Sequence, residues 1–515
     1  MSTGNLGLQN KLQKENVGFF KKVELIGNKL PHPFILFIYL AFSVMILSAI
    51  LAAFEVSVIH PVKKEVVFVK SLLTQEGLQY ILTSMIKNFS GFPSLGLALG
   101  MTLGIGLAER VGLIQAVLRK MVLRVPARLV TFTVVLAGFL AHLASDAAFI
   151  LIPPMAAIVF LTLGRHPLAG LAAGYAAVGS GFTANIFIGG TDALLSGIST
   201  QVAKTIDPNA MVTPVDNWFF MAFSTLFLSF LVTIVTEKFV EPRLGTYQAE
   251  KTAKLEDLTI QETKALRVTG IVAAVYVIVL ALLVLPEGAL LRDVKTGGIL
   301  NSPFMSGIIP IILMFFITVA ATYGVMTGEI KSQKDIPKFM SEALREMTGF
   351  IVMVFAAAQF IAFFDWSNIA VWMAVSGADF LKGSNITGLP VLLAFSLLTA
   401  FLSLFIFSGS ALWTLLAPVF IPMFMLIGFH PAFVQLAYRI AESATNTIAP
   451  LNPYMPIVLL YMQEYKKESG VGTLIAMMMP YALLFLGAWM VLIVAWYFLG
   501  IPIGPGVMPN LINNQ

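Results

Sequence analysis

The chain has 515 residues, 58% hydrophobic and 11% charged. A soluble globular chain carries about 25% charged residues, so this composition excludes one. The net charge of +5 reads as basic loops on the inner side of a membrane rather than as a nucleic-acid surface. The absence of cysteine excludes disulfides, thiol catalysis and thiolate metal sites.

In chain order, residues 1–33 are polar, carry Lys11, Lys14, Lys21, Lys22 and Lys29, and read as a cytoplasmic N-terminal segment. The apolar run 34–54 exceeds the apolar core of a cleaved signal and reads as a first span. Eight further runs are long enough to cross about 30 Å of hydrocarbon as helices. They are 83–107, 168–200, 218–236, 268–285, 303–323, 347–364, 432–461 and 474–499. None alternates as a barrel strand does. Two stretches are too long for one helix and too short for two crossings. The first, 129–163, is interrupted by Ser145-Asp146 and Pro153-Pro154; the second, 390–429, by Ser408-Gly409-Ser410 and Pro418. Each is expected to be a re-entrant helical hairpin whose irregular tip is buried by protein or lines a wet cavity. The basic, amphipathic stretch 109–128 is expected at the membrane interface.

The reading is therefore an all-α polytopic membrane protein with about nine transmembrane helices and two re-entrant hairpins. The charged linker 237–267 divides it into halves 34–236 and 268–499, and 500–515 form an external tail. With the N-terminus inside, 23 Lys and Arg fall on the inner side, eight on the outer side, and Arg439 lies within a span. That bias follows the positive-inside rule. It requires the first hairpin to enter from the cytoplasmic side and the second from the outer side.

The halves share an order of features. Ser145-Asp146 through Pro154 aligns with Gly409-Ser410 through Pro418. Gly164-Arg-His-Pro167 is matched by Gly428-Phe-His-Pro431, and Ser180–Asn185 by Ser443–Asn446. Each half reads as hairpin, Gly-x-His-Pro, then a helix broken at a Ser/Thr/Asn-rich segment. Opposite entry sides make this an inverted-topology repeat, a pattern of secondary transporters with sites at broken helices near the midplane. Exposed carbonyls and Ser, Thr or Asn oxygens there can replace the hydration shell of a cation. Helix N-termini favour anions.

Ionisable residues inside spans are costly and mark functional sites. Asp146 lies at the first tip, where it also suits a helix cap. Asp192 follows the first break. Arg439 and Glu442 share one face of the second broken helix. They form either an internal ion pair or a site in which Arg439 holds a substrate carboxylate and Glu442 couples to a proton or cation. Trp413, just past the second tip, is either a packing residue or a stacking surface for an aromatic ligand. Pro431 suits the first position of a helix. His166 and His430 read as helix-entry residues, and His142 as a proton-relay candidate. No Walker A, H-E-x-x-H or nucleophile-elbow motif occurs, so ATP-driven pumping by this chain is not expected.

These residues resemble a known family. His142-Leu-Ala-Ser-Asp146, Gly181-Phe-Thr-Ala-Asn185 through Gly190-Thr-Asp192, Ser408 through Pro418, and Tyr438-Arg-Ile-Ala-Glu-Ser-Ala-Thr-Asn446 are similar to motifs of the aminobenzoyl-glutamate transporter (AbgT) family, within the broader ion-transporter superfamily. The resemblance covers essentially the whole chain. It implies a bowl-shaped homodimer in the bacterial inner membrane, with nine spans and two hairpins per subunit. It also implies import of p-aminobenzoyl-glutamate or export of sulfonamide antimetabolites. Asp192, Trp413, Pro431 and Arg439 match functional positions of the family. Glu442 stands where the family has Asp, and Ser403 where some members have Asn.

The expected function is sodium- or proton-coupled secondary transport of p-aminobenzoyl-glutamate-like solutes, with no organic cofactor. The substrate site is expected at Ser145, Asp192, Ser410, Trp413, Pro431 and Arg439. Ion coupling is expected at Asp146, Thr183, Asn185, Ser408, Glu442 and Asn446, with a sodium ion near Asn185 and Asn446. Efflux of sulfonamide-type compounds is the alternative vector. An intramembrane enzyme using Asp146, Asp192 and Glu442 as acid and base, and a passive channel, are the rival classes.

Overall fold

The computed structural model describes residues 31–123, 126–144, 147–247, 257–299, 302–384 and 387–511. In chain order they form α1 (Pro33–Ala53), a small hairpin of β1 (Ser57–Ile59) and β2 (Val66–Phe68), α2 (Gln75–Ser90), α3 (Pro93–Arg110), α4 (Leu113–Leu123), α5 (Val130–Leu140), α6 (Ala147–Thr162), α7 (Pro167–Gly179), α8 (Gly190–Ala203) and α9 (Trp218–Val235). The second part follows with α10 (Ile260–Val284), α11 (Ile308–Thr327), α12 (Asp335–Glu346), α13 (Thr348–Trp366), α14 (Ile369–Gly383), α15 (Leu389–Ser403), α16 (Gly409–Leu426), α17 (Pro431–Thr445), α18 (Met455–Tyr465) and α19 (Val471–Leu499). β1 and β2 pair antiparallel, Ser57 opposite Phe68.

Among the described residues, eight helical stretches are long and apolar enough to cross a membrane. Seven coincide with expected spans: α1, the stretch Gln75–Arg110, α9, α10, α11, α13 and α19. Gln75–Arg110 bends at Gly91 and Phe92, because Pro93 lacks the N–H that would continue α2 into α3. The eighth is α16, the second arm of the expected hairpin 390–429. The remaining expected spans, 168–200 and 432–461, are each two shorter helices: α7 and α8, and α17 and α18. The first hairpin consists of α5 and α6, the second of α15 and α16. Ser145 and Asp146, the expected first tip, lie outside the described residues.

The two broken helices begin alike. His166 and His430 precede Pro167 and Pro431, and each imidazole accepts the N–H two residues on, at 3.2 Å from Leu168 and from Ala432. Proline at the first position has no N–H to satisfy. Both histidines are therefore helix caps, as expected. The first break opens at Gly181, where a Cβ would lie 1.9 Å from the Phe139 ring; only glycine lets the break press against α5.

Packing joins the halves crosswise. The second hairpin arm of each half, α6 or α16, lies against the far piece of the other half's broken helix, α18 or α8 respectively. α3 forms the neighbouring wall, against α8, α11 and α12. Arg165, between α6 and α7, binds Glu237 and Glu241 past the end of α9, which anchors the first hairpin's base. At the opposite end of the sequence, residues 503–511 act as a clasp. The Ile503 carbonyl accepts the Phe220 N–H at 3.2 Å, the Pro509 carbonyl accepts the His430 N–H at 2.9 Å, and the Leu511 N–H donates to the Gly428 carbonyl at 2.9 Å. The clasp ties the start of α9 to the turn leaving the second hairpin.

Candidate functional site

The two breaks meet at the centre of the fold. Ser180 and Thr447 share a hydroxyl hydrogen bond of 2.6 Å, and Thr183 and Ser443 one of 2.8 Å. Each pair joins one half to the other. The Ser403 hydroxyl bonds that of Thr445 on the neighbouring α17. The hydroxyl-rich segments expected to bind ligands thus first satisfy each other.

Beside this seam lies an ion pair. Arg439 on α17 meets Asp192 on α8, Nη2 to Oδ1 at 2.7 Å, with the two side chains 1% and 5% exposed. The partner of Arg439 is therefore Asp192 from the other half; the ion pair with Glu442 weighed from the sequence does not form. Asp192 earns its place locally as well. Its Oδ2 accepts the Gly189 N–H at 2.7 Å, capping α8, and the Asn185 amide at 2.9 Å, closing the break. Arg439 also donates to the Thr183 carbonyl at 3.2 Å. Hydrogen bonds reach both partners, which helps a buried pair persist, while the Arg439 Nε is buried with no hydrogen-bond partner.

A chain of side-chain bonds runs onward from Arg439 to Trp413. Arg439 and Gln435 both donate to the Asn217 amide oxygen, at 3.5 and 2.9 Å. The Ser199 hydroxyl donates to Gln435 at 2.6 Å, and the Trp413 indole N–H donates to Ser199 at 3.1 Å. Asn217 is held by its own donation to the Ala432 carbonyl at 2.8 Å. Trp413 is fully buried and lies 4.5 Å from the Tyr438 ring. Ser199, Asn217 and Gln435 were missed from the sequence. Gln435 lies one turn before Arg439, on the same face, and that spacing is the signal that could have found it.

Next to the seam is a cavity of about 360 Å³. The tip of the second hairpin enters it with Ser408, Gly409 and Ser410; the first break contributes Phe182 and Thr183, the start of α8 Gly190 and Thr191; α17 contributes Tyr438 and Glu442, and Asn446 follows at its end. Of the expected residues, Thr183, Ser408, Ser410, Glu442 and Asn446 line it. Asp192, Asn185, Arg439 and Trp413 stand behind its wall, and Pro431 borders a separate recess with Asp216 and His430.

Two helices present their N-termini to the cavity, α8 at Gly190 and α16 at Gly409. Ser408 caps α16 by accepting the Ala411 N–H at 3.3 Å. The Glu442 carboxylate presses on the same end: a Cβ at Gly409 would be 3.0 Å from its Oε1. The carboxylate accepts hydrogen bonds from the Ser443 hydroxyl, at 3.3 Å, and from the Asn446 side chain. The Asn446 amide oxygen is buried with no hydrogen-bond partner. His142 abuts Phe182 edge-on, ring centroids 4.2 Å apart, with Nε2 3.4 Å from the Thr191 hydroxyl. Among the described residues no cluster of His, Cys, Asp and Glu could hold a metal. A sodium site would have to be built from Asn, Ser and Thr oxygens, carbonyls and Glu442.

The AbgT putative transporter family model matches residues 18–511. This chain belongs to that family. It is 48% identical over 489 residues to the p-aminobenzoyl-glutamate transport protein of Escherichia coli K12, covering 95% of this chain and 96% of that protein. Its fold is similar to the YdaH transporter of Alcanivorax borkumensis, with TM-score 0.88, 40% identity and coverage of 92% of this chain and all of the other. It is also similar to Neisseria gonorrhoeae MtrF, with TM-score 0.90, 41% identity and coverage of 95% and 100%. MtrF is described as illuminating a class of antimetabolite efflux pumps. This AbgT-family chain is a multi-pass helical membrane transporter.

Proposed function

We propose that the chain is a sodium- or proton-coupled secondary transporter of p-aminobenzoyl-glutamate-like aromatic carboxylates, working by alternating access. One observation carries the coupling: Glu442 occupies the N-terminal end of α16 inside the cavity. The positive end of that helix favours one negative charge, that of Glu442 or that of an arriving carboxylate. A proton or cation on Glu442 frees the helix end for the solute, so the two bind together. Asn446, with its unpartnered amide oxygen, supplies a ligand for sodium. The name of the Escherichia coli relative supports the solute class. In this reading the protein spans the bacterial inner membrane as a homodimer, with residues 1–33 and the linker 237–267 in the cytoplasm.

Export of sulfonamide-type antimetabolites is the second reading, favoured by the similarity to MtrF. Both vectors use one site, and the ion and solute gradients set the direction. Proteoliposomes loaded against separate sodium and proton gradients test the proposal with radiolabelled p-aminobenzoyl-glutamate. The expected result is uptake above empty liposomes, driven by one gradient and uncoupled from it in Glu442→Gln. Uptake indifferent to both gradients would refute coupling, and no uptake would refute the solute class. Product formed in detergent, where no gradient exists, would point to an enzyme instead.

A further inference from the structure

We propose that the aryl ring of the solute is gripped by Phe182 and Tyr454, the lining pair that shares Phe149 as a backing ring, and not by Trp413. The inference rests on the transport reading above and deepens it. Trp413 is fully buried, its N–H is committed to Ser199, and one of its faces is taken by Tyr438. It has no surface to offer a guest. Phe182 and Tyr454 both line the cavity and are partly exposed. Each is held from behind. Phe149 stacks on Tyr454 with centroids 4.5 Å apart and planes 11° from parallel, and lies 6.3 Å from Phe182. His142 abuts Phe182 edge-on. Rings fixed in this way lose little freedom when a third ring joins them.

The rest of the cavity is mixed: Leu194, Leu195, Met347 and Phe407 give it apolar wall beside a polar strip. The α8 and α16 N-termini, Thr183 and the unpartnered Asn446 oxygen line it. A ligand with a ring at one end and carboxylates at the other end matches this division. The ring takes the aromatic corner, and carboxylates reach the helix ends. About 360 Å³ is near the lower end of the roughly 300–1,000 Å³ of small-molecule sites. The cavity is therefore large enough for a solute with a single ring.

Equilibrium binding to the purified full chain tests this, with p-aminobenzoyl-glutamate and ring-free N-acetyl-glutamate as paired probes. Phe182→Leu and Tyr454→Leu are each expected to weaken the aryl probe about tenfold, which corresponds to about 1.4 kcal/mol. N-acetyl-glutamate should bind as before, and Phe182→Tyr should retain most of the aryl preference. An aryl preference that survives both leucine variants overturns the assignment, as does equal weakening of both probes, which would mark the rings as merely structural. Wild-type protein that binds neither probe overturns the transport reading itself.

Discussion

Two polar layers lie one turn apart on α17 and treat charge in opposite ways. In the layer of Arg439, Asp192, the Thr183 carbonyl, Asn217, Gln435 and Ser199 form a connected set reaching Trp413, with the Arg439 Nε left unbonded. In the layer of Glu442, the carboxylate is bonded by the Ser443 hydroxyl and the Asn446 side chain beside a helix end, and Asn446 keeps a bare oxygen. The closed layer resembles a structural joint between the halves. The open layer faces the cavity and has bonding capacity left for something arriving from outside. Both contain buried charged residues, so residue type alone does not separate holding from binding.

The comparison can be broken most directly at Arg439. Arg439→Ala leaves Asp192 buried and uncompensated, and is expected to cost about 3–5 kcal/mol in reversible unfolding in detergent. Asp192→Ala should cost a similar amount, and the double variant clearly less than the sum of the two. Full additivity would mean the pair is not a closed joint. Gln435→Ala removes the middle of the relay and takes one hydrogen bond each from Asn217 and Ser199; a loss of about 1–3 kcal/mol is expected from the same measurement. An unchanged midpoint would disconnect Trp413 from Arg439.

Asp216, in the loop before α9, provides an intermediate case: buried, bonded by the Thr213 N–H and hydroxyl, but without an ion-pair partner. Burial raises it from the usual 3.8 to about 6, against the opposing Thr213 hydrogen bonds. Between those values the folded protein binds the proton more tightly than the unfolded chain. The contribution is full below about pH 4 and is lost as pH rises through 6. Asp216→Asn should flatten the fall in thermal midpoint over that window; an unaltered profile would assign the slope elsewhere. The smallest stability effect is expected at Glu442. Glu442→Gln should move the unfolding midpoint by less than about 1 kcal/mol while abolishing gradient-driven uptake. A large destabilisation would place Glu442 in the structural layer after all.

Much of the fold was legible because prolines and glycines punctuate it. Pro167 and Pro431 mark helix starts, and Gly181 and Gly409 mark irregular backbone, whatever the tertiary context. Intramembrane Asp192, Arg439 and Glu442 stood out because hydrocarbon makes charges expensive. What the sequence did not reveal was pairing. Arg439 and Glu442 share a helix face, and that local geometry pointed to the wrong partner, while Asp192 arrives from the other half through the crossing of α8 and α17. Nor could periodicity tell which aromatic residue meets the cavity. Trp413 and Tyr438 stack on each other, and only Tyr438 reaches the lining. The short helix α14 beside α16 was likewise set by packing rather than by composition.

The clasp formed by residues 503–511 has a practical corollary. Its backbone bonds to Phe220, Gly428 and His430 hold the turn leaving the second hairpin beside the start of α9, so this turn cannot swing away without carrying the final strand of sequence along. An affinity handle or fluorescent reporter spliced in ahead of residue 503 would sever those ties and report on an injured carrier, whereas one appended beyond Leu511 leaves them in place.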